Sequence, residues 1–253
     1  MNVFLTGASS GIGAALARRY AAQGARLGLF ARRGEELAAT AASLAPAPCA
    51  VYAGDVRDER ALRAAAVDFT TRHGATDVVI ANAGISRGTV SDEVEDNAVF
   101  RAILEVNVVG MLHTFQAFLP AMRAARRGKL VGIASVAGFR GLPGAGAYSA
   151  SKAAAINYLE SLRVELVGSG VQVVTICPGY VATPMTAGNP YRMPYLISAE
   201  RAADLIVQAI ASGRRFYILP WQMRLLGRAL AVLPRPIFDR VLARAARKPR
   251  GAA

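Results

Sequence analysis

Tyr148 and Lys152 stand four residues apart in the run Tyr-Ser-Ala-Ser-Lys. If that segment is helical, both side chains lie on one face, about one turn apart. Ala150, Ala153, Ala154 and Ala155 are strong helix formers, and Leu159, Leu162 and Leu166 continue an apolar stripe, so a helix is predicted near 149–168. An ammonium held beside a phenol favours the phenolate and lowers its pKa from about 10. A phenol tuned in this way exchanges protons near neutral pH, as a general acid or base does. The approach from Gly138 to Gly146 is rich in glycine and lets backbone and ligand come close. Alone, such a pair is more often an ordinary helix start with a surface lysine. The weight therefore falls on the residues that accompany it.

The first of these is the turn Thr6-Gly7-Ala8-Ser9-Ser10-Gly11-Ile12-Gly13, which follows a strand and opens a helix. Gly7 permits the turn, Gly11 admits a pyrophosphate and Gly13 lets helix pack on strand, while the helix N-terminus offers free N–H groups to the anion. Ser9, Ser10 and Ile12 fall in the same turn and belong to the same expected dinucleotide site. About 20 residues on, where an NAD site usually carries an acid, the second strand ends in Arg32 and Arg33, with no acid from Ala25 to Gly34. A guanidinium suits a 2′-phosphate, so NADP(H) is expected over NAD(H). Asp55-Val56 closes the third strand, where Asp55 could accept from an adenine amino group or cap the next helix. Asn82-Ala83-Gly84 ends the fourth strand with small residues that leave room for a cofactor, or simply form a tight turn. Asn107 lies among valines and must find hydrogen-bond partners, either as a core residue or as the holder of a catalytic water. Ser135 follows the fifth strand, thirteen residues before Tyr148, and its hydroxyl could bind a substrate carbonyl. No G-x-S-x-G elbow surrounds it, which argues against a hydrolase nucleophile.

Elements that could position these groups alternate along the chain. Strands are predicted near 2–6, 25–30, 48–53, 77–81, 129–134, 171–176 and 215–219. Helices are predicted near 12–24, 34–44, 58–73, 97–126, 149–168 and 199–212. Continuously apolar strands such as Val78-Val79-Ile80 belong to a parallel sheet covered on both faces. The fold expected is a doubly wound, Rossmann-like α/β sheet of about seven strands, with ligands at the carboxyl ends of the strands. Residues 1–220 form that unit and 221–253 a basic amphipathic helical extension. Residues 180–198 carry Pro184, Pro190, Pro194 and Gly188, which disfavour a regular helix, and read as a covering loop. Tyr180, Met185, Tyr191, Met193 and Tyr195 there, with Leu142, would give a hydrophobic substrate an apolar wall; the loop residues could equally just pack the loop down.

Of the 253 residues 53% are hydrophobic, ample for one large core. No run of about eighteen apolar residues and no signal-like segment is evident. Cys49 and Cys177 make neither a disulfide framework nor a metal site, and a cytoplasmic protein is expected. Neither His73 nor His113 has a carboxylate or metal partner at useful spacing, so both are assigned to structure. The net charge is +13, of which +9 lies from Arg214 onward, where ten basic residues face one acid, Asp239. The tail reads as two short helices broken at Pro234-Arg-Pro236, with Arg240, Arg244 and Arg247 among Ile237, Phe238, Val241, Leu242 and Ala245. It could attach to an anionic inner membrane face, or cover a partner subunit or the substrate mouth. Nucleic-acid binding is not expected, since no aromatic platform interleaves the charge.

Taken together, Thr6-Gly7-x3-Gly11-x-Gly13, Asn82-Ala83-Gly84, Asn107, Ser135, Tyr148-x3-Lys152 and Pro178-Gly179 resemble the short-chain dehydrogenase/reductase family in order and spacing, over about Asn2 to Pro220. The resemblance implies hydride transfer between a nicotinamide and a carbonyl or secondary alcohol. It makes Tyr148 the general acid/base, and Lys152 the group that lowers its pKa and holds the nicotinamide ribose. Ser135 becomes the substrate-oxygen partner, and Asn107 the support of a proton-relay water. Pro178, Gly179, Val181 and Thr183 would line the nicotinamide end. It also implies a homodimer or homotetramer built through the two long helices. The rival reading is a catalytically silent nucleotide-sensing or membrane-surface module on the same fold.

Overall fold

Seven apolar runs become the strands of one parallel sheet, and the amphipathic runs between them become its covering helices. The computed structural model describes residues 1–243 and 248–250. The first half contains β1 (Asn2–Thr6), α1 (Gly11–Ala22), β2 (Arg26–Ala31), α2 (Gly34–Ala42), β3 (Cys49–Ala53), α3 (Glu59–His73) and β4 (Val78–Ala81). The middle contains α4 (Asp96–Leu104), a π-turn at Glu105–Val109, α5 (Gly110–Ala124), β5 (Gly128–Ile133), a 3₁₀ turn at Val136–Gly138, α6 (Gly146–Glu165) and β6 (Val171–Pro178). After these come β7 (Val181–Ala182), α7 (Pro184–Ala187), β8 (Ile197–Ser198), α8 (Ala199–Ala211), β9 (Phe216–Leu219), α9 (Trp221–Val232) and α10 (Arg235–Leu242).

The strand order is β3-β2-β1-β4-β5-β6-β9, all parallel, with β7 and β8 paired apart from it. The order reverses between β1 and β4, so a crevice opens there at the carboxyl ends. One face of the sheet packs Leu5, Leu16, Leu29, Ile80, Ile176 and Ile206 beneath α1 and α8. The other packs Phe4, Phe30, Phe69, Phe115, Phe118 and Leu159 beneath α3, α5 and α6. Strands buried on both faces explain the unbroken apolar runs.

Local chemistry sets the ends. Asp58 caps α3 by accepting from Arg60 N at 2.9 Å and Ala61 N at 3.1 Å, which stabilises the helix by about 1 kcal/mol. The single helix expected at 97–126 is interrupted by the π-turn that carries Asn107. Its full stretch, Asp96–Ala124, is long and apolar enough to cross a membrane by length and composition. Here its apolar side, with Met111, Phe115, Phe118 and Met122, is buried against the sheet.

Candidate active site

The crevice begins at the turn between β1 and α1. Gly7 has φ +68°, a left-handed backbone that favours glycine. A Cβ on Gly13 would collide with Gly7 O, so helix and strand touch as the spacing predicts. Arg33 leaves the end of β2 and donates to Ser10 Oγ at 2.8 Å and Ser9 Oγ at 3.1 Å. One guanidinium and two hydroxyls thus gather at the crevice rim, a donor set that suits a phosphate monoester. Arg32 lies beside it and also lines the crevice. Gly54, Val56, Asn82, Ala83 and Gly84 continue the floor. Asn82 Nδ2 donates to Thr6 O at 3.1 Å and Gly7 O at 3.2 Å, which ties the fourth strand's end to the glycine turn.

At the other end, α6 brings Tyr148 and Lys152 into the same crevice as the glycine turn. Lys152 is 5% exposed, lies 5.7 Å from the centre of the Tyr148 ring, and donates to Ile133 O at 2.8 Å. Burial pulls its ammonium down to about 8. The expected lowering of the Tyr148 phenol by this cation does not appear. Burial raises the phenol, and the opposing pull comes from a hydrogen bond to Ser135. The reason is geometric: the lysine donates to a strand carbonyl and leaves the phenolic oxygen to the serine. Tyr148 is consequently a protonated phenol at neutral pH, the form that donates. Ser135 caps the 3₁₀ turn, accepting from Ala137 N at 3.1 Å.

Asn107 is 1% exposed and fully employed as a donor. Its Nδ2 donates to Ile85 O at 3.0 Å and Ser151 Oγ at 2.9 Å, and its Oδ1 accepts from Ile85 N at 2.8 Å. One Oδ1 lone pair is left over. A Cβ on Gly84 would sit 3.2 Å from that oxygen and 3.7 Å from Lys152 Nζ, so Gly84 separates the two groups. Asn107 therefore clamps the backbone after β4 and faces the lysine across one glycine.

Pro178, Gly179, Val181, Thr183 and Met185 line the same crevice. Besides Gly13 and Asn107, six expected residues fall outside the lining: Asp55, Leu142, Tyr180, Tyr191, Met193 and Tyr195. Asp55 is bound by Arg57, whose Nη2 lies 2.8 Å from its Oδ2, and by Arg57 N at 2.9 Å, which holds its carboxyl below the ordinary range. Its neighbours Gly54 and Val56, not Asp55, line the crevice. Leu142 and Tyr180 also fall outside the lining: Leu142 N meets Ser149 Oγ at 3.3 Å, and Tyr180 packs its ring 6.3 Å from that of Tyr191. Ile85, Ala134 and Thr186 line the crevice without having been anticipated. Thr186 accepts from Thr183 N at 3.1 Å and donates to Val181 O at 2.7 Å, a capping box on α7. The Thr-Pro-x-Thr spacing could have shown it.

The tail returns to the body. Met223 and Gly227 of α9 are buried, Gly227 against Phe139. Arg140, in the loop after the 3₁₀ turn, donates to Leu230 O at 2.9 Å and to Leu233 O, with its guanidinium 3.9 Å over the Phe238 ring. Residues 248–250 then reach the loop after β4. Lys248 Nζ donates to Ser86 Oγ at 2.9 Å, Gly88 N donates to Pro249 O at 3.2 Å, and Arg250 pairs with Asp96 and Glu93 at 3.1 Å each. The expected stripe residues Arg244, Ala245 and Arg247 lie outside the described residues.

A family model described as short chain dehydrogenase matches residues 1–192. An uncharacterized oxidoreductase of Myxococcus xanthus is 40% identical over 242 residues, 93% of each chain. The granaticin polyketide synthase putative ketoacyl reductase 1 of Streptomyces violaceoruber is 36% identical over 216 residues, 83% of this chain and 79% of that protein. Among solved structures, a short chain dehydrogenase from Burkholderia cenocepacia in complex with NADP aligns with a TM-score of 0.82 at 28% identity, covering 95% of this chain and 96% of that one.

Proposed function

The chain belongs to the short chain dehydrogenase family of NAD(P)-dependent oxidoreductases, and from that premise we propose that it is an NADPH-dependent carbonyl reductase, or the reverse alcohol dehydrogenase, acting on a largely apolar substrate. The observation that carries this reading is the convergence of Ser135, Tyr148 and Lys152 in one crevice with the glycine turn. A dinucleotide held by the glycine turn and Arg33 would supply hydride to the carbonyl carbon. Charge then develops on the carbonyl oxygen, where Ser135 and Tyr148 donate hydrogen bonds. Tyr148 gives its phenolic proton to that oxygen, and the alcohol leaves with one hydride and one proton gained. Lys152, one helical turn away, stabilises the phenolate left behind, and Asn107 faces the lysine at the point where a water could return the proton. Arg33 with Ser9 and Ser10 supports the preference for a 2′-phosphate.

The test is NADPH oxidation across a panel of ketones and aldehydes by the wild type and Tyr148→Phe. Turnover should fall at least about a hundredfold in the variant, while NADPH binding, followed by its fluorescence, persists. A variant that keeps its turnover refutes the assignment, and a wild type that binds NADPH but reduces nothing favours the sensing module.

A second reading concerns the outer face of α9. Trp221, Leu225 and Val232 are 63%, 56% and 81% exposed, opposite the buried Met223 and Gly227 and beside the exposed Arg224 and Arg228. An apolar stripe flanked by arginines suits peripheral contact with an anionic lipid surface. Co-sedimentation with anionic and zwitterionic vesicles separates the cases; equal partition to both, or none, ends this reading. For subunit contact, exposed Phe100, Val109, Val164 and Val167 on α4, the π-turn, α6 and its C-terminal end support a dimer or tetramer, to be measured by light scattering.

A further inference from the structure

Among the described residues Lys248 meets no acid, and it touches the crevice wall through Met185. The residue is half-buried, and among the described residues its ammonium donates to neutral oxygens, Ser86 Oγ at 2.9 Å and Met185 O at 3.4 Å. The two nearby acids are taken, because Glu93 and Asp96 are both bound by Arg250. Among the described residues no acid lines the crevice, where Arg32, Arg33 and Lys152 are the charged groups. A cation withdrawn from water gains most from an anion that arrives with the ligand.

The backbone from Lys248 to Arg250 is held against the loop after β4. Gly88 forms a parallel bridge with Arg250, and a Cβ on Gly88 would overlap the carbonyl oxygens of Lys248 and Pro249. Arg250 anchors the far end in its two carboxylates. The contacts of Lys248 join the loop after β4, which carries Ile85 of the crevice wall, to α7, which carries Met185 of the facing wall. The ammonium therefore bridges the two walls at the substrate end.

Resting on the carbonyl-reductase reading, we propose that Lys248 is a specificity residue that binds an anionic group on the substrate, so that the preferred substrate is an apolar ketone or aldehyde bearing a carboxylate. Ile85 and Met185 take the body of the molecule, Ser135 and Tyr148 take its carbonyl, and Lys248 takes its charged end. The residues around the ammonium do not set the distance between carbonyl and carboxylate, so the test spans it.

The experiment uses the full chain with NADPH and a series of methyl-ketone acids of increasing length, each paired with its methyl ester. In the wild type the acid should exceed its ester in kcat/KM by about tenfold at the fitting length, the worth of one charge-assisted hydrogen bond. Lys248→Gln should abolish that ratio and Lys248→Arg should keep most of it. Gly88→Ala, which displaces the backbone of Lys248 and Pro249 without changing either residue, should abolish it as well. Esters reduced as well as acids at every length overturn the Lys248 assignment and leave the reductase reading intact. A weakened NADPH affinity in Lys248→Gln with an unchanged acid-to-ester ratio also overturns it, by giving the cation to the cofactor's phosphates. A wild type that reduces no ketone overturns both readings.

Discussion

Replacing Lys152 with methionine should stabilise the cofactor-free protein while removing its turnover. Burial lowers this ammonium from 10.5 to about 8, and at about 1.4 kcal/mol per unit the buried charge costs the native state about 3 kcal/mol at pH 7. Methionine fills a similar length without charge. Against that gain stands Ile133 O, which loses its donor at 2.8 Å, a cost of about 1 to 3 kcal/mol for a buried acceptor. The net expectation is a stabilisation of about 1 kcal/mol, or about 2 to 4 °C in Tm for a domain of this size. Its pH dependence is the stricter test. Below about pH 8 the lysine is charged in both states and the burial cost is fully present. Between about 8 and 10.5 the unfolded chain holds a proton that the native one lacks, so wild-type stability gains on the variant as pH rises. Differential scanning of both proteins without cofactor at pH 7 and pH 10 measures this. A variant that melts lower at pH 7, or a difference in Tm that is the same at both pH values, refutes the reasoning. Turnover in Lys152→Met should fall about a hundredfold or more, measured by NADPH oxidation.

Arg33→Ala should lower the NADPH-over-NADH ratio in kcat/KM about tenfold to a hundredfold, the worth of one charged contact to a 2′-phosphate, with NADH kinetics little changed; an unaltered ratio assigns Arg33 to solvent. Asn107→Leu removes three hydrogen bonds to Ile85 and Ser151 and should lower Tm by about 5 to 10 °C, read by calorimetry. Gly13→Ala drives a methyl group into Gly7 O; the soluble fraction should lose NADPH binding, as followed by fluorescence.

The sheet was legible because its inner strands, such as β1 and β4, are buried along their length and carry apolar runs. The glycine turn, Ser135 and the Tyr148–Lys152 pair were legible because a strand end and a helix face fix where those side chains go. What escaped was set by side-chain direction and local geometry that residue type does not reveal, and in one case by contacts distant in sequence. Asp55 was expected at the adenine, and nothing at its own position shows that Arg57 fastens it from two residues away. The π-turn at Glu105–Val109 interrupts a run that is periodic enough to predict one helix. Leu142 and Tyr180 sit in loops, where apolar character does not say which way a side chain turns, and only Met185 of that group reached the crevice. Lys248 looked like one more basic residue in a basic tail, since its partners Ser86 and Met185 lie 162 and 63 residues away.

The reversal of strand order between β1 and β4 divides the crevice between two chain segments, and Thr6 stitches them together. Its hydroxyl accepts from Asn82 N at 3.1 Å and Ala83 N at 3.3 Å, across 76 and 77 residues, and donates to Ile80 O at 3.4 Å. The half with Arg33, Ser9 and Ser10 descends from β1 and β2, and the half with Ser135, Tyr148 and Lys152 from β5 and α6. A methyl-sized error along that seam would leave each half intact and able to grip its own part of a ligand, yet misaim one at the other. Alignment, as distinct from affinity, is thus entrusted to a buried threonine that touches neither reactant.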